Sequence, residues 1–420
     1  METLHKTILK DWQIKKFSAY GFLKNLKFFE PYILIYLMGN GITLLQIGIL
    51  IAIREVIVNV FEIPSGFLAD YFGRKKELSF SFLMYIISFV FFFFSSTFWI
   101  AVVAMVFFGL GEAFRSGTHK ALIFTYLEQK NWTKEKTFVY GKTRSASLIG
   151  SAISSILSVA IILNITNNGY IFLASIIPYI LDFILIMSYP KSLDNFEREN
   201  RISFKDMLNK LLTSFKKNKN LRHILIGEGL FEGTISSIKD FVQPIMEMII
   251  IGSGIVLVST LSATDNLKII LGLTYMLMNV FGSAASRSSY RLKKHQTGVF
   301  WMNFLYFSLV VVLGVLGLLI EHYYAVIVCY LIIYIAQNFR KPIFVDELDD
   351  NMPKDERATV LSVASQMKSL FIIVLAPVIG LISDTYGIRY ALMGLALLLV
   401  IFSPFAWYFS KNNAKEVEVK

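Results

Sequence analysis

An all-α membrane protein with twelve transmembrane helices in two six-helix bundles is the fold this sequence predicts. Three observations predict it. Of 420 residues, 55% are hydrophobic and only 17% are charged, against about 45–50% and about 25% in soluble domains. Mean hydropathy is +0.58. Apolar runs of the roughly 20 residues that a bilayer requires recur along the whole chain. This pattern excludes a cytosolic enzyme, a disordered chain and a secreted disulfide scaffold. The single cysteine, Cys329, lies inside an apolar run. The excess of 41 Lys and Arg over 30 Asp and Glu would point to nucleic acid in a soluble protein. In a membrane protein it is the expected topogenic bias.

The elements follow in order. Residues 1–16 are polar and basic, with no cleavable signal peptide before the first span. That span, 17–38, stops at Gly39-Asn40, and the second, 45–71, runs into Gly73-Arg74-Lys75. The third, 77–97, closes on Ser95-Ser96-Thr97, so short a connection that the fourth, 99–128, must run antiparallel to it. The fifth, 137–162, and sixth, 169–189, are joined by the short stretch Asn164 to Gly169. Residues 190–221 form the only long polar linker, read as a solvated or surface-lying helix. Spans at 222–250, 268–290, 297–319, 322–348, 357–383 and 389–410 complete the set. The second, fourth, seventh, tenth and eleventh exceed bilayer thickness and should tilt or protrude. The expected domains are an N-terminal bundle at 1–189, a cytoplasmic linker at 190–221 and a C-terminal bundle at 222–420.

Charge orients the spans. With the N-terminus inside, Lys6, Lys10, Lys15 and Lys16 precede the first span. Of all 41 Lys and Arg, only Lys268 and Arg389 border outer loops. This asymmetry predicts an even number of crossings with both termini cytoplasmic. Richness in Phe, Ile, Lys and Asn points to a low-GC bacterium, hence to the bacterial cytoplasmic membrane.

Six ionisable side chains lie well inside spans: Glu55, Glu62, Glu112, Arg115, Glu228 and Glu232. Each isolated charge at a helix centre costs ~2.5–3.5 kcal/mol on insertion scales, so six would cost on the order of 15–20 kcal/mol. Several must be paired, protonated or exposed to a water-filled cavity. Glu55 and Glu62 are seven residues apart and face the same way about 10 Å apart, with Arg54 rotated off that stripe. Glu112, Arg115 and His119 follow helical spacing on the fourth span, and Glu228, Glu232 and Lys239 on the seventh. The functional reading is proton coupling, because a carboxylate moved between dry and wet surroundings changes its proton affinity. The structural alternatives are a fixed Glu112–Arg115 pair and hydrogen bonds from Glu55 and Glu62 to neighbouring helices.

The turn after the second span, Gly66-Phe67-Leu68-Ala69-Asp70-Tyr71-Phe72-Gly73-Arg74-Lys75, resembles the G-x-L-x-D-R-x-G-R-K signature of the major facilitator superfamily, with Tyr71 where Arg is usual. Gly66 and Gly73 permit a tight turn. Asp70 is an acceptor able to cap a neighbouring helix. The resemblance implies a major facilitator fold and a cytoplasmic gating loop of Pro64, Gly66, Asp70, Gly73, Arg74 and Lys75. Glu55 and Glu62-x-Pro64 followed by Asp70 and Arg74-Lys75 is similar to the clostridial-type (class P) tetracycline efflux family. That likeness implies export of tetracycline as a metal chelate in exchange for protons, and hence drug resistance. The fifth span, Leu148 to Ser155, lacks the Gly-Pro-rich antiporter motif of other tetracycline pumps. The alternatives are export of another small molecule or a proton-coupled uptake symport.

No phosphate-binding G-x-x-x-x-G-K-[ST] loop occurs, and the five His are scattered without a zinc pattern. The expectation is therefore no enzyme and no bound cofactor. Any divalent metal would travel with the substrate. The expected partners are a small-molecule drug and the lipid bilayer, with no nucleic acid and a monomeric state.

Overall fold

The computed structural model describes residues 2–194, 219–253, 257–292, 297–350 and 357–407. Among the described residues the regular structure is helical, with no strand. Ten stretches are long and apolar enough to cross a membrane. The two apolar runs outside that set are the first and the seventh, because each is broken.

The polar start is itself helical: α1 (Glu2–Lys10) buries Ile8. Asp11 then caps α2 (Trp12–Lys24), accepting from the backbone N–H of Gln13 and Ile14 at 2.9 and 3.1 Å. The first apolar run continues only as the short α3 (Ile33–Gly39). Pro31 lies in the gap. Its ring blocks the helical hydrogen bond, and it biases Glu30 away from helix. The seventh run splits in the same way into α10 (Lys219–Ile238) and α11 (Val242–Ser253), around a 3₁₀ turn at Lys239–Phe241. Pro244 follows that turn.

Between these lie α4 (Leu44–Phe72), α5 (Arg74–Phe93), α6 (Phe98–Arg115), α7 (Thr118–Gln129), α8 (Lys136–Leu163) and α9 (Tyr170–Met187). The fourth span, expected to be continuous, is therefore two helices. After α11 come α12 (Ala263–Leu292), α13 (Gly298–Leu318), α14 (Tyr323–Asp350), α15 (Arg357–Tyr386) and α16 (Ile388–Ala406). Most of the linker at 190–221 lies outside the described residues.

The chain forms two compact units. One comprises Met1–Ile42, Ile53–Arg198 and Gly254–Asn279. Within it α5 packs on α6 and α9, and α2 on α8. The backbones of α2 and α8 come close at Gly21, where an added Cβ would stand 2.8 Å from the Thr143 carbonyl. Aromatic rings fill the centre: Phe89, Tyr179 and Tyr85 meet edge to face. In the other unit (Thr43–Ala52, Glu199–Ser253, Val280–Lys420) α10 packs on α15, and α13 on α14 and α16. The first turn of α4 belongs here. Leu44 and Leu45 donate their N–H groups to the Asp384 carboxylate at 3.1 and 2.8 Å. An added Cβ at Gly48 would overlap the Ala376 backbone, and one at Gly380 the Leu44 backbone.

Candidate functional site

In the first unit, charge converges where α4 meets α6. Gly109 brings the two helices together, an added Cβ there standing 3.1 Å from the Arg54 carbonyl. One turn further on, Glu112 is within reach of α4, and its Oε2 lies 3.9 Å from Arg54 Nε. Arg54 also folds back on Glu55, donating from Nη2 at 2.7 Å and Nε at 3.2 Å. Although Arg54 is rotated off the acidic stripe by its place on the helix, its long side chain reaches back and pairs with Glu55. Glu55 is 8% exposed, a depth that a carboxylate tolerates when paired.

Glu62, two turns along α4, has no such cation among the described residues. It accepts from Ser116 Oγ at 3.3 Å, and Ser65 fixes the local backbone by donating to the Glu62 carbonyl at 2.8 Å. Ser116 sits at the break in the fourth span. Gly117 makes that break with φ +75°, a backbone region that side chains with a Cβ rarely adopt. Arg115, just before it, donates to Tyr85 Oη at 3.0 Å and not to Glu112.

The break borders a cavity of about 350 Å³ walled by α2, α7 and α8. Lys24, Arg115, Lys120 and Arg144 line it, and no Asp or Glu does among the described residues. His119 also lines it, stacked on Tyr20 with ring centroids 3.6 Å apart. In neighbouring α9, Asp182 is fully buried, with neither carboxylate oxygen hydrogen-bonded among the described residues. Lys24, Arg144 and Asp182 belong to no sequence motif that marks them as site residues. Asp182 had a signal, as the lone acid within the sixth apolar run.

In the gating loop, Gly73 has φ +98°. Arg74 Nη1 donates to Thr125 Oγ1 at 3.1 Å, and Lys75 Nζ to the Tyr189 carbonyl at 2.8 Å. Pro64 lies within α4 and is exposed. The backbone at Gly66 and Asp70 is helical; the Asp70 side chain lies outside the described residues.

The second unit holds a separate cluster. Glu228 of α10 pairs with Arg340 of α14, and Arg340 is fully buried with its guanidinium 4.2 Å from the centre of the Phe231 ring. One turn on, Glu232 accepts from Gln337 Nε2 at 2.8 Å. Lys239 does not extend this face, because α10 ends at Ile238; it lies 3.7 Å from Asp240 instead. No cluster of metal ligands occurs among the described residues.

Residues 25–373 match the family model described as Major Facilitator Superfamily. An uncharacterized MFS-type transporter of Bacillus subtilis (strain 168), YxaM, is 26% identical over 224 residues, covering 52% of this chain and 54% of that protein. The chain thus spans about half the length of the curated relative it matches. Solved structures similar in fold include the nucleoside transporter NupG (TM-score 0.77, 10% identity, 95% of this chain and all of that one). Another is a bacterial homologue of the human lysosomal transporter Spinster, inward-facing and unoccupied (TM-score 0.73, 13% identity, 95% and 97% covered). A third is a D-xylose-proton symporter (TM-score 0.68, 11% identity, 93% and 95% covered). At these identities the likeness shows the fold alone.

Proposed function

The chain belongs to the major facilitator superfamily, and from that premise we propose that it is a secondary active transporter exchanging protons for a small-molecule solute. Glu62 carries the reading. Its carboxylate is half-buried in a membrane-length helix and held by one long hydroxyl contact, whereas Glu55 and Glu228 each have a guanidinium. A carboxylate without a fixed counter-charge is the one whose proton occupancy follows changes in its surroundings. Glu62 also adjoins the break beside the basic cavity, so proton and solute sites are neighbours. Glu55 and Glu112, bridged by Arg54, form the fixed charge behind it. Arg74 and Lys75 hold the α4–α5 turn against α7 and the residues after α9.

The cargo that the second-span resemblance implies is tetracycline, carried as a metal chelate and exported from a bacterial cell as a resistance mechanism. No resident cofactor and no covalent step are needed. Cells expressing the protein should accumulate less tetracycline, and an uncoupler should abolish the difference. Glu62→Gln should also abolish it, at unchanged expression. Full resistance in a well-expressed Glu62→Gln variant would remove Glu62 from the coupling path. A second reading keeps the scaffold and changes the solute or its direction. The basic lining of the cavity favours it, and greater tetracycline accumulation, or none attributable to the protein, would select it.

A further inference from the structure

The cavity walled by α2, α7 and α8 holds more positive charge than the fold itself needs. We propose that it binds the anionic group, a carboxylate or phosphate, of the transported solute. This deepens the transporter reading above and rests on it for making the anion the cargo.

Four cations line the space, and none of Lys24, Arg115, Lys120 and Arg144 forms an ion pair among the described residues. Three of them contact neutral groups: Arg115 bonds to Tyr85, Lys24 lies over the Tyr20 ring, and Lys120 lies over Phe124 and Tyr140. Part of this charge has a structural use. Lys24 and Arg115 occupy the last turns of α2 and α6, where each helix end carries about half a negative charge. Two ends supply about one unit, and the carboxylates of Asp182 and Glu112 act electrostatically on Lys24 and Arg115, so Lys120 and Arg144 are the cations left over. Topogenic bias does not account for the rest, because it requires basic residues in loops, whereas Lys120 and Arg144 lie within the fourth and fifth apolar runs. Unbalanced cations in such positions are costly, and a bound anion supplies the balance.

The backbone points the same way. Gly117 starts α7 without a side-chain cap, so the first-turn N–H groups of that helix are left to other acceptors at the cavity edge. Tyr20 lines the same space, is 2% exposed, and its hydroxyl has no hydrogen-bond partner among the described residues. Charge, helix end and spare hydroxyl converge in a volume of about 350 Å³, at the lower end of small-molecule sites.

The test uses the purified full-length protein in phosphatidylcholine nanodiscs, with citrate and inorganic phosphate as probes. At least one should bind saturably. Lys120→Gln/Arg144→Gln, both at exposed positions, should weaken that binding at least tenfold with an unchanged unfolding midpoint. Arg115→Gln should do so independently. Failure of both probes to bind, or binding indifferent to both sets of variants, overturns the proposal. A second arm uses phosphatidylglycerol nanodiscs: loss of citrate or phosphate binding there identifies a lipid headgroup as occupant and overturns the assignment to cargo. Proton-gradient-driven tetracycline flux without anion binding sinks the anion site and leaves transport standing. Anion binding without any gradient-driven flux does the reverse.

Discussion

Arg340 has no exposed surface, and a guanidinium in that position needs its counter-charge. Removing one partner of a buried pair costs about 3–5 kcal/mol, because the other charge is left unpaired, whereas replacing both with apolar groups is often neutral. Arg340→Met should therefore lower stability by about that amount, and Arg340→Met/Glu228→Met should recover most of it. Unfolding midpoints in detergent for the two variants check this. A single variant as stable as the parent would mean that the pair contributes nothing. The individual charges were legible in the sequence, since an ionic residue in an apolar run is conspicuous. Their partners were not. Helical spacing placed Arg115 beside Glu112, but Gly109 lets α4 so close that Arg54 takes Glu112 and Arg115 turns to Tyr85. Spacing along one helix says which side chains share a face; it does not say which neighbour fills the gap.

At the scale of elements, the interruptions matter more than the helices. The first and seventh apolar runs both break before a proline, at Pro31 and Pro244. Interrupted segments in corresponding places of two halves are where transporters of this kind build sites. Hydropathy averages over such breaks, so both runs read as single spans, and the Gly117 break was absorbed into a thirty-residue reading of the fourth. A repeat is also readable: the spacing of Gly66, Asp70 and Gly73 recurs as Gly380, Asp384 and Gly387, after the eleventh span. In that second copy the acid caps a helix, since Asp384 accepts from the start of α4. Gly387 has φ +98° and ψ 155°, and an added Cβ would meet nothing within 4 Å. Gly387→Ala should thus cost only backbone strain, about 1–3 kcal/mol. Gly394, inside α16 and equally open, provides the control: Gly394→Ala should stabilise by about 0.5–1 kcal/mol. Unfolding midpoints that move in opposite directions meet the expectation, and a common direction would refute the strain account.

For the whole molecule, the direction of transport depends on which side of the membrane each turn occupies. Twelve apolar runs, two of them broken, predict that both ends of the chain lie on one face. The distribution of Lys and Arg predicts that this face is cytoplasmic. At the folded start of the chain, α1 presents Leu4 and Leu9 at about one-third exposure among charged neighbours, and Asp11 ties it to α7 through Tyr126 Oη at 2.9 Å. The chain has one cysteine, and it is buried, so orientation can be read in a Cys329→Ala background. Thr166→Cys, in the exposed turn between α8 and α9, should react with a membrane-impermeant maleimide applied to intact cells. Leu9→Cys should react only after permeabilisation. Labelling of Leu9→Cys in intact cells would invert the molecule. It would turn Asp384 and the start of α4 toward the cytoplasm and move the Arg74–Lys75 turn outside. The direction of proton flow assigned to Glu62 would then reverse with them.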